Sequence, residues 1–537
     1  MPKEFNVNGT CFPSEHYMVD ISDRLSQIKA MVDKGNYFCI NKGRQYGKTT
    51  TFSLLKNFLA EDYCVFSISF EGCDDASFEN LDSVGRMFFS SLESATKRKT
   101  PVKNLSGKAK KFLERLNKPS FLDSIFNSGR KTFDTHKAII ELCSLNEKPI
   151  VVFIDEVDQA GSYESFLKFL GLLRDMYLER NNISTFHSII LAGVYDVKNL
   201  KLKLRPTEEH QYNSPWNIAA DFNVKMEFDA ADISTMLQDY ENDHRLGINI
   251  GEISELLEEY TGGYPYLVSR MCMIIDGSVS KLPDYDLKKA WTKQGVLEAV
   301  KLILKDENTL FDDMRKKLDD FPGMRKAIFD ILYEGKTITF NAYDKDLNVA
   351  KMFCFIKDEN GKVAVANRIF EVWFYNLFVS EASKSDEIFS EGSKDKVLFI
   401  KNGELDMPLI LERFIVHFND IYGDKDEKFV EKEGRKYFLF FIKPIINGTG
   451  NYYIEAQTRD ERRTDVIIDY LGHQYVVELK IWHGAKYNEN GENQLIEYLD
   501  SLHKDTGYML TFNFNKNKSS EVKKTEIQGK TVYEAFV

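Results

Sequence analysis

Three features are missing from this chain of 537 residues. It has no paired cysteines: the seven Cys are scattered, odd in number, and never at the close spacing that a metal cluster needs. Buried free thiols in a reducing cytoplasm are what that pattern predicts. It has no apolar run approaching membrane-spanning length, and Met1-Pro2-Lys3-Glu4-Phe5 lacks the apolar core of a signal peptide. A cytoplasmic protein with no membrane partner is therefore expected. It also has no excess of positive charge. A formal net charge of −12 argues against a protein that coats DNA, so any contact with nucleic acid must be local.

What is present is ordinary for a folded chain. Hydrophobic residues make up 43% and charged residues 29%, and the 40 Phe and 26 Tyr argue for filled cores rather than disorder. The length is too great for one core and suggests roughly three or four domains.

The densest local signal is Gly43-Arg44-Gln45-Tyr46-Gly47-Lys48-Thr49-Thr50. A short apolar strand, Tyr37 to Ile40, precedes it, and a helical pattern from Phe52 to Leu59 follows. Strand, glycine loop, Gly-Lys-Thr and helix form a phosphate-binding arrangement. Loop N–H groups and the helix N-terminus face the anion, the Lys48 ammonium reaches the β/γ-phosphates, and the Thr49 hydroxyl holds Mg²⁺. Lys42 stands where the first glycine of the usual spacing falls, and Gly43 comes one place late. The second half of the signal is Lys148 to Asp158, a continuous apolar and β-branched run ending in Asp155-Glu156. Such a run is a parallel strand buried on both faces, and its C-terminal end is where open α/β sheets place their ligands. Asp155 is assigned to the Mg²⁺ through water and Glu156 to the attacking water. Together the two stretches define a nucleotide site, with ATP and Mg²⁺ as the expected cofactors.

Other stretches fill in the α/β domain. Tyr17, in the lead-in Phe12 to Asp20, is nominated to cover the adenine, a packed surface tyrosine being the alternative. Tyr63 to Phe70 and Ser188 to Val194 read as further strands, and Met226-Glu227-Phe228 as the strand that closes the sheet. A sensor for the γ-phosphate should follow Val194, but no Asn, Thr or Arg stands at the expected place. Ile233 to His244 and Ile253 to Tyr260 read as lid helices that turn at Thr261 to Leu267. Arg270, one turn further, could reach a phosphate or lie on the surface. From Met324 to Phe378, short helices precede a hairpin around Asn360-Gly361, a winged-helix pattern. Its presumed recognition helix, Ala342 to Lys351, carries as many acids as bases and would meet phosphates poorly. The expected divisions are an ATPase core at 1–229, a helical lid at 230–290, a winged-helix-like part at 291–380, a polar linker at 381–396 and a last domain at 397–537.

That last domain contains the second chemical signal. Arg463 to Tyr470 and Gln474 to Lys480 read as a hairpin. Side chains alternate along a strand, so Glu478 and Lys480 share a face. If the loop is the pair Leu471-Gly472, Asp465 lies directly opposite Glu478. Two carboxylates and a lysine then converge, a set that suits Mg²⁺ or Mn²⁺ and a water positioned to attack phosphate. On the helical stretch that follows, Gln494 and Tyr498 stand on one face.

These residues resemble two families. Asp465, Glu478, Lys480, Gln494 and Tyr498 look like the PD-(D/E)XK nucleases, in the branch whose following helix carries Gln-x-x-x-Tyr. Cys11 to Asp20, Arg44 to Thr50, Gly193 to Asp196, Ser214 to Ala219 and Thr261 to Pro265 resemble bacterial AAA-ATPase-like, STAND-type proteins that are often fused to such nucleases. With Asn447 to Tyr508 the likeness spans nearly the whole chain. It implies a triad of Asp465, Glu478 and Lys480 assisted by Gln494 and Tyr498, and a helical metal ligand, Glu433 with Glu431 as its rival. The expected function is an ATP-binding protein with an ATP-regulated, Mg²⁺-dependent nuclease, acting on DNA more than RNA, in defence or mobile-element biology. Self-assembly is left open. The alternatives are a signalling ATPase whose nuclease fold is an inactive binding module, and a DNA-transaction factor that binds through the winged helix.

Overall fold

The structure is a computed structural model. It describes residues 3–117, 134–161, 163–194, 216–332, 338–383, 392, 396–422, 431–446, 450–453, 466–470, 473–481, 492–493, 495–497, 499–500, 504–512 and 521–537. The chain divides into two compact units, one of Met1–Val296 with Val349–Cys354, the other of Leu297–Asn348 with Phe355–Val537.

The first unit is built on a parallel sheet. Helix α1 (Ser22–Asp33) leads to β1 (Phe38–Asn41), α2 (Lys48–Phe58) and β2 (Cys64–Ser69). Next come α3 (Leu81–Thr96), α4 (Gly107–Leu116), α5 (Thr135–Leu145), β3 (Ile150–Asp155), α6 (Glu164–Leu178) and β4 (Ser188–Gly193). The order is β1-β4-β3-β2, with every pairing parallel. Strand β3 lies inside the sheet, and Val151, Val152, Phe153 and Ile154 are fully buried, as a two-sided apolar strand must be. One face is filled from α3, whose Val84, Phe88, Phe89 and Leu92 join Phe66, Ile68, Phe166 and Phe169 in a single core.

Met226-Glu227-Phe228 corrects the expectation of a closing strand: the segment is irregular and outside the four-stranded sheet. The polar groups of these residues are engaged elsewhere. The Glu227 carboxylate pairs with Lys42 at 2.7 Å, and the Phe228 N–H donates to the Gly263 carbonyl at 2.9 Å. The chain meets the β1 edge earlier, at an isolated parallel bridge between Phe38 and Ala220.

Three helices follow, α7 (Ala230–His244), α8 (Ile250–Thr261) and α9 (Pro265–Gly277). Asp229 and Asp232 close a reciprocal cap at the start of α7, which satisfies two otherwise orphaned N–H groups. Tyr240 of α7 packs on Phe5, Tyr17 and Trp291 with ring centroids 4.8–5.2 Å apart. The N-terminal segment is thereby fastened to the helices. Between α8 and α9, Gly263 has φ +69, and a Cβ there would stand 1.9 Å from the Phe228 carbonyl oxygen.

After α10 (Leu287–Ala290), the second unit begins within α11 (Lys293–Ile303) and contains α12 (Thr309–Asp320) and α13 (Pro322–Leu332). Helix α14 (Lys345–Met352), the hairpin β5 (Ile356–Glu359) and β6 (Lys362–Val365), and α15 (Arg368–Ser383) come next. Arg315 and Arg325 both pair with Glu381, which ties α12 and α13 to α15. A short pair, β7 (Ile400–Lys401) and β8 (Glu404–Leu405), precedes α16 (Met407–Tyr422) and α17 (Glu431–Ile446). The chain ends in β9 (Gly450–Tyr453), β10 (Val466–Tyr470), β11 (His473–Ile481), β12 (Thr506–Phe512), β13 (Val522–Ile527) and β14 (Lys530–Phe536). These make one sheet of order β13-β14-β12-β11-β10-β9. Strands β9 to β11 form an antiparallel meander, and β12 runs parallel to β11. Helix α17 closes on one face, where a Cβ at Gly434 would meet the Phe512 ring at 2.3 Å. Helical residues 495–497 and 499–500 cover the other face, with Leu495 and Leu499 against Gly507.

Gly263→Ala should destabilise the first unit by roughly 3 kcal/mol, since the new side chain meets backbone and the φ is left-handed. Chemical denaturation of the purified chain would show it as a lowered midpoint.

Candidate functional site

The phosphate loop of the first unit folds around Lys48. This side chain is only 7% exposed, and its Nζ donates to the carbonyl oxygens of Lys42 and Gly43, each at 2.8 Å. Burial lowers the pKa of the ammonium, while the charges of Glu156, Asp155 and Asp158 pull it back up. The next residue, Thr49, donates its hydroxyl to Asp155 Oδ2 at 2.8 Å. A hydroxyl from the start of α2 and a carboxylate from the end of β3 thus stand side by side. This is a pair of hard oxygens that fits Mg²⁺. Thr50 accepts the Cys11 N–H at 3.2 Å, so the lead-in is tied to α2 next to the loop.

The late glycine has a packing reason. A Cβ at Gly43 would lie 3.2 Å from the Phe353 carbonyl and 3.5 Å from Cys354 Sγ, both in the same unit. Lys42, standing where a glycine is usual, turns outward to its pair with Glu227. Gln45 has φ +59, and Tyr46 is buried against Tyr264 with ring centroids 4.4 Å apart. The Tyr264 hydroxyl donates to the Arg44 carbonyl, which couples the turn before α9 to the loop.

Glu156 follows Asp155 in a left-handed conformation, φ +54. Its pKa is raised, first by burial and then by the Asp155 charge, with Lys48 opposing. Asp158 was not singled out from sequence. Its Oδ2 accepts the Val194 N–H at 2.6 Å and so fixes the end of β4, and only its place three residues after Asp155 could have drawn attention to it. The segment after Val194, where a sensor is expected, lies outside the described residues. Arg270 stands on α9 with Nη1 3.2 Å from Met273 Sδ. Tyr17 is 4% exposed. Its hydroxyl donates to Asp243 at 3.0 Å, and its ring belongs to the cluster around Tyr240.

In the second unit, Glu478 and Lys480 share one face of β11 as expected. Lys480 Nζ stands 2.9 Å from Glu478 Oε1, and the Glu478 side chain is 0% exposed. The hairpin register runs from Val466↔Val477 to Tyr470↔His473, the register that a two-residue loop predicts. Asp465, Gln494 and Tyr498 lie outside the described residues, and Glu431 and Glu433 fall in the first turn of α17. Among the described residues no three His, Cys, Asp or Glu side chains form a cluster that could hold a metal ion. No described helix is long and apolar enough to cross a membrane.

A parallel sheet with a glycine loop after β1, a buried lysine, and an acidic pair ending β3 defines a P-loop ATPase-type domain. Residues 12–320 match the family described as an AAA-like domain. That is more than half of the chain, and the chain belongs to that family. Solved structures resemble it at low identity. A Walker-type ATPase of Pyrococcus abyssi is 14% identical, with a TM-score of 0.41, over 69% of this chain and 99% of that one. The Aeropyrum pernix ORC2 protein is 12% identical, with a TM-score of 0.33, over 67% of this chain and 93% of that one. The Thermotoga maritima RuvB Holliday junction branch migration motor is 12% identical, with a TM-score of 0.30, over 65% and 92%. No curated protein matches.

The raised pKa of Glu156 gives a signed prediction. The folded chain holds that proton more tightly than the unfolded chain, so stability falls as pH rises from the ordinary carboxylate pKa to the folded one. Glu156→Gln should remove this loss, leaving the variant at least as stable as the parent at neutral pH. Urea unfolding from about pH 4 to about pH 8 would check it.

Proposed function

We propose that the chain is an ATPase whose nucleotide state governs a C-terminal, metal-dependent nuclease. The contacts among Lys48, Thr49 and Asp155 carry the ATPase half. Lys48 exchanges its bonds to the Lys42 and Gly43 carbonyls for the β/γ-phosphate oxygens, a swap between acceptors that keeps the buried ammonium paired. Thr49 and Asp155 would hold Mg²⁺, which supplies charge neutralisation at the phosphates. Glu156 accepts a proton from the attacking water, and its raised pKa brings it nearer the operating pH.

The nuclease half is carried by Glu478. A carboxylate with no solvent exposure, paired with Lys480 in the middle of a sheet, gives little net stability over apolar residues, so its chemistry is the better reason for it. The antiparallel meander β9 to β11, the parallel β12 and helices on both faces support a restriction-endonuclease-like domain. Glu478, with Asp465 and Glu433, would hold Mg²⁺ or Mn²⁺, and Lys480 would deliver water to a phosphodiester, assisted by Gln494 and Tyr498. DNA is favoured over RNA as substrate. Helices α12 to α14 with the β5–β6 hairpin fit a winged helix, and the charge balance of α14 suits packing rather than DNA contact.

Incubation of the full chain with linear, circular and single-stranded DNA and with RNA, with and without Mg²⁺ and ATP, tests this function. Metal-dependent loss of one substrate is expected, and no loss of any of them leaves the inactive-module alternative. Lys48→Ala should abolish ATP binding, whereas Glu156→Gln should bind ATP and fail to turn it over. Unchanged hydrolysis in Glu156→Gln would place the base elsewhere. Lys480→Ala should abolish cleavage by about 10²-fold or more while ATP binding is unchanged.

A further inference from the structure

Seven of the fifteen residues from Lys97 to Lys111 are Lys or Arg, and none is Asp or Glu. In a chain with a formal net charge of −12, this is a local excess of the opposite sign, and it lies within the first unit. The stretch joins the end of α3 to the start of α4, and all seven cations are exposed. Lys97 pairs with Glu93. Arg98, Lys99, Lys103, Lys108, Lys110 and Lys111 pair with no carboxylate among the described residues. Packing gathers these charges instead of dispersing them. Arg98 donates to the Ser67 carbonyl at 3.0 Å, on the β2 edge of the sheet. Lys56 of α2 donates to the Thr100 carbonyl at 3.2 Å, which brings in an ammonium from another helix. Burial lowers the Lys56 pKa, and the Arg98 and Lys103 charges lower it further. On α4, Lys108 and Lys111 are three residues apart and share a face. The connection between the helices is pinned. Asn104 donates to the Ala60 and Tyr63 carbonyls, and the Ser106 N–H donates to Asn146 Oδ1 at 2.7 Å. Like charges are thus held together against their repulsion, which a polyanion would relieve.

What the stretch lacks narrows the partner. It contains no aromatic residue, and its larger apolar side chains, Val102 and Leu105, pack on the core. Nothing there can insert into a bilayer, anchor a protein partner or stack on unpaired bases. Charge without an anchor suits a polymer whose own charge is dense and regular, and a nucleic-acid duplex carries one phosphate charge per about 1.7 Å of its axis. We propose that residues 97–111, with Lys56, form a docking surface on the ATPase-type unit for the phosphate backbone of a nucleic-acid duplex, without sequence preference. Lys48 opens α2, and Lys56 stands about 12 Å further along the helix axis, so the surface is separate from the phosphate loop. The proposal does not draw on the nuclease reading, because phosphate contacts need neither a metal nor cleavage. It also differs from docking through the winged-helix-like part, whose α14 is balanced in charge.

Fluorescence anisotropy of labelled duplexes titrated with the full chain in EDTA, from about 50 to about 200 mM salt, tests the proposal. Duplex DNA and duplex RNA of equal length are the two arms, and the one bound more tightly names the source of the backbone. Binding should fall steeply with salt and be equal for a second duplex of unrelated sequence. The triple variant Lys103→Gln, Lys108→Gln, Lys111→Gln should weaken it at least about tenfold at the lowest salt, and the slope of log K against log salt should shrink by about two to three. The unfolding temperature should hold, since all three side chains are exposed. The same change of charge at Lys316, Lys326 and Lys345, exposed lysines of the second unit, should alter neither affinity nor slope. Salt-sensitive binding of neither duplex would overturn the proposal, and so would unchanged affinity and slope in the triple variant. An equal loss from the second-unit lysines would show a response to overall charge alone and would also overturn it. Vesicles of anionic phospholipid that displace the duplex and bind the parent more tightly would assign the surface to a membrane instead.

Discussion

One buried positive charge sets the geometry of the first unit. The Lys48 ammonium lies at the C-terminal edge of a parallel sheet, where solvent cannot compensate it. The Lys42 and Gly43 carbonyls therefore have to turn inward, and the loop closes over its own lysine. Around this centre Asp155, Glu156 and Asp158 supply negative potential from the end of β3 and just beyond it. Fixed charges this buried act strongly because little solvent screens them. The arrangement is therefore already built for an anion that brings a cation with it.

The two candidate sites solve the same problem with different ratios. At Lys48 one ammonium faces three carboxylates whose charges reach it, so the surplus is negative and a metal ion is electrostatically welcome. On the face of β11, Glu478 and Lys480 form a one-to-one pair that is neutral as it stands. A cation there must compete with the lysine. The first site thus carries the excess negative charge that suits a cation, and the pair on β11 does not.

Much of this was legible in the sequence, because the relevant patterns are local. A run of six residues buried on both faces, Ile150–Asp155, can hardly be anything but a central parallel strand. The alternation from Gln474 to Lys480 fixed which side chains share a face. What was not legible depends on distant chain segments. Met226 to Phe228 looked like a strand because its apolar residues flank one acid, yet Glu227 is drawn to Lys42 and Phe228 to the Gly263 backbone. Tyr17 reads from sequence as an adenine cover or a packed surface residue, and its burial against Tyr240 depends on a segment more than two hundred residues away. The displaced glycine at 43 makes sense only beside Phe353 and Cys354.

The strand order has a consequence for how the chain is made. Strand β1 pairs with β4, so Phe38–Asn41 leaves the ribosome roughly 150 residues before its ladder partner exists. At the usual pace of synthesis that interval is on the order of ten seconds. During it, the phosphate loop has no sheet to stand on, and the nucleotide site cannot preform on the nascent chain. Strands β2 and β3 pair with each other and can form a ribbon first, into which β4 and then β1 must dock. Such late, long-range closure slows folding. The shortness of β1, four residues, limits the sticky edge exposed while it waits.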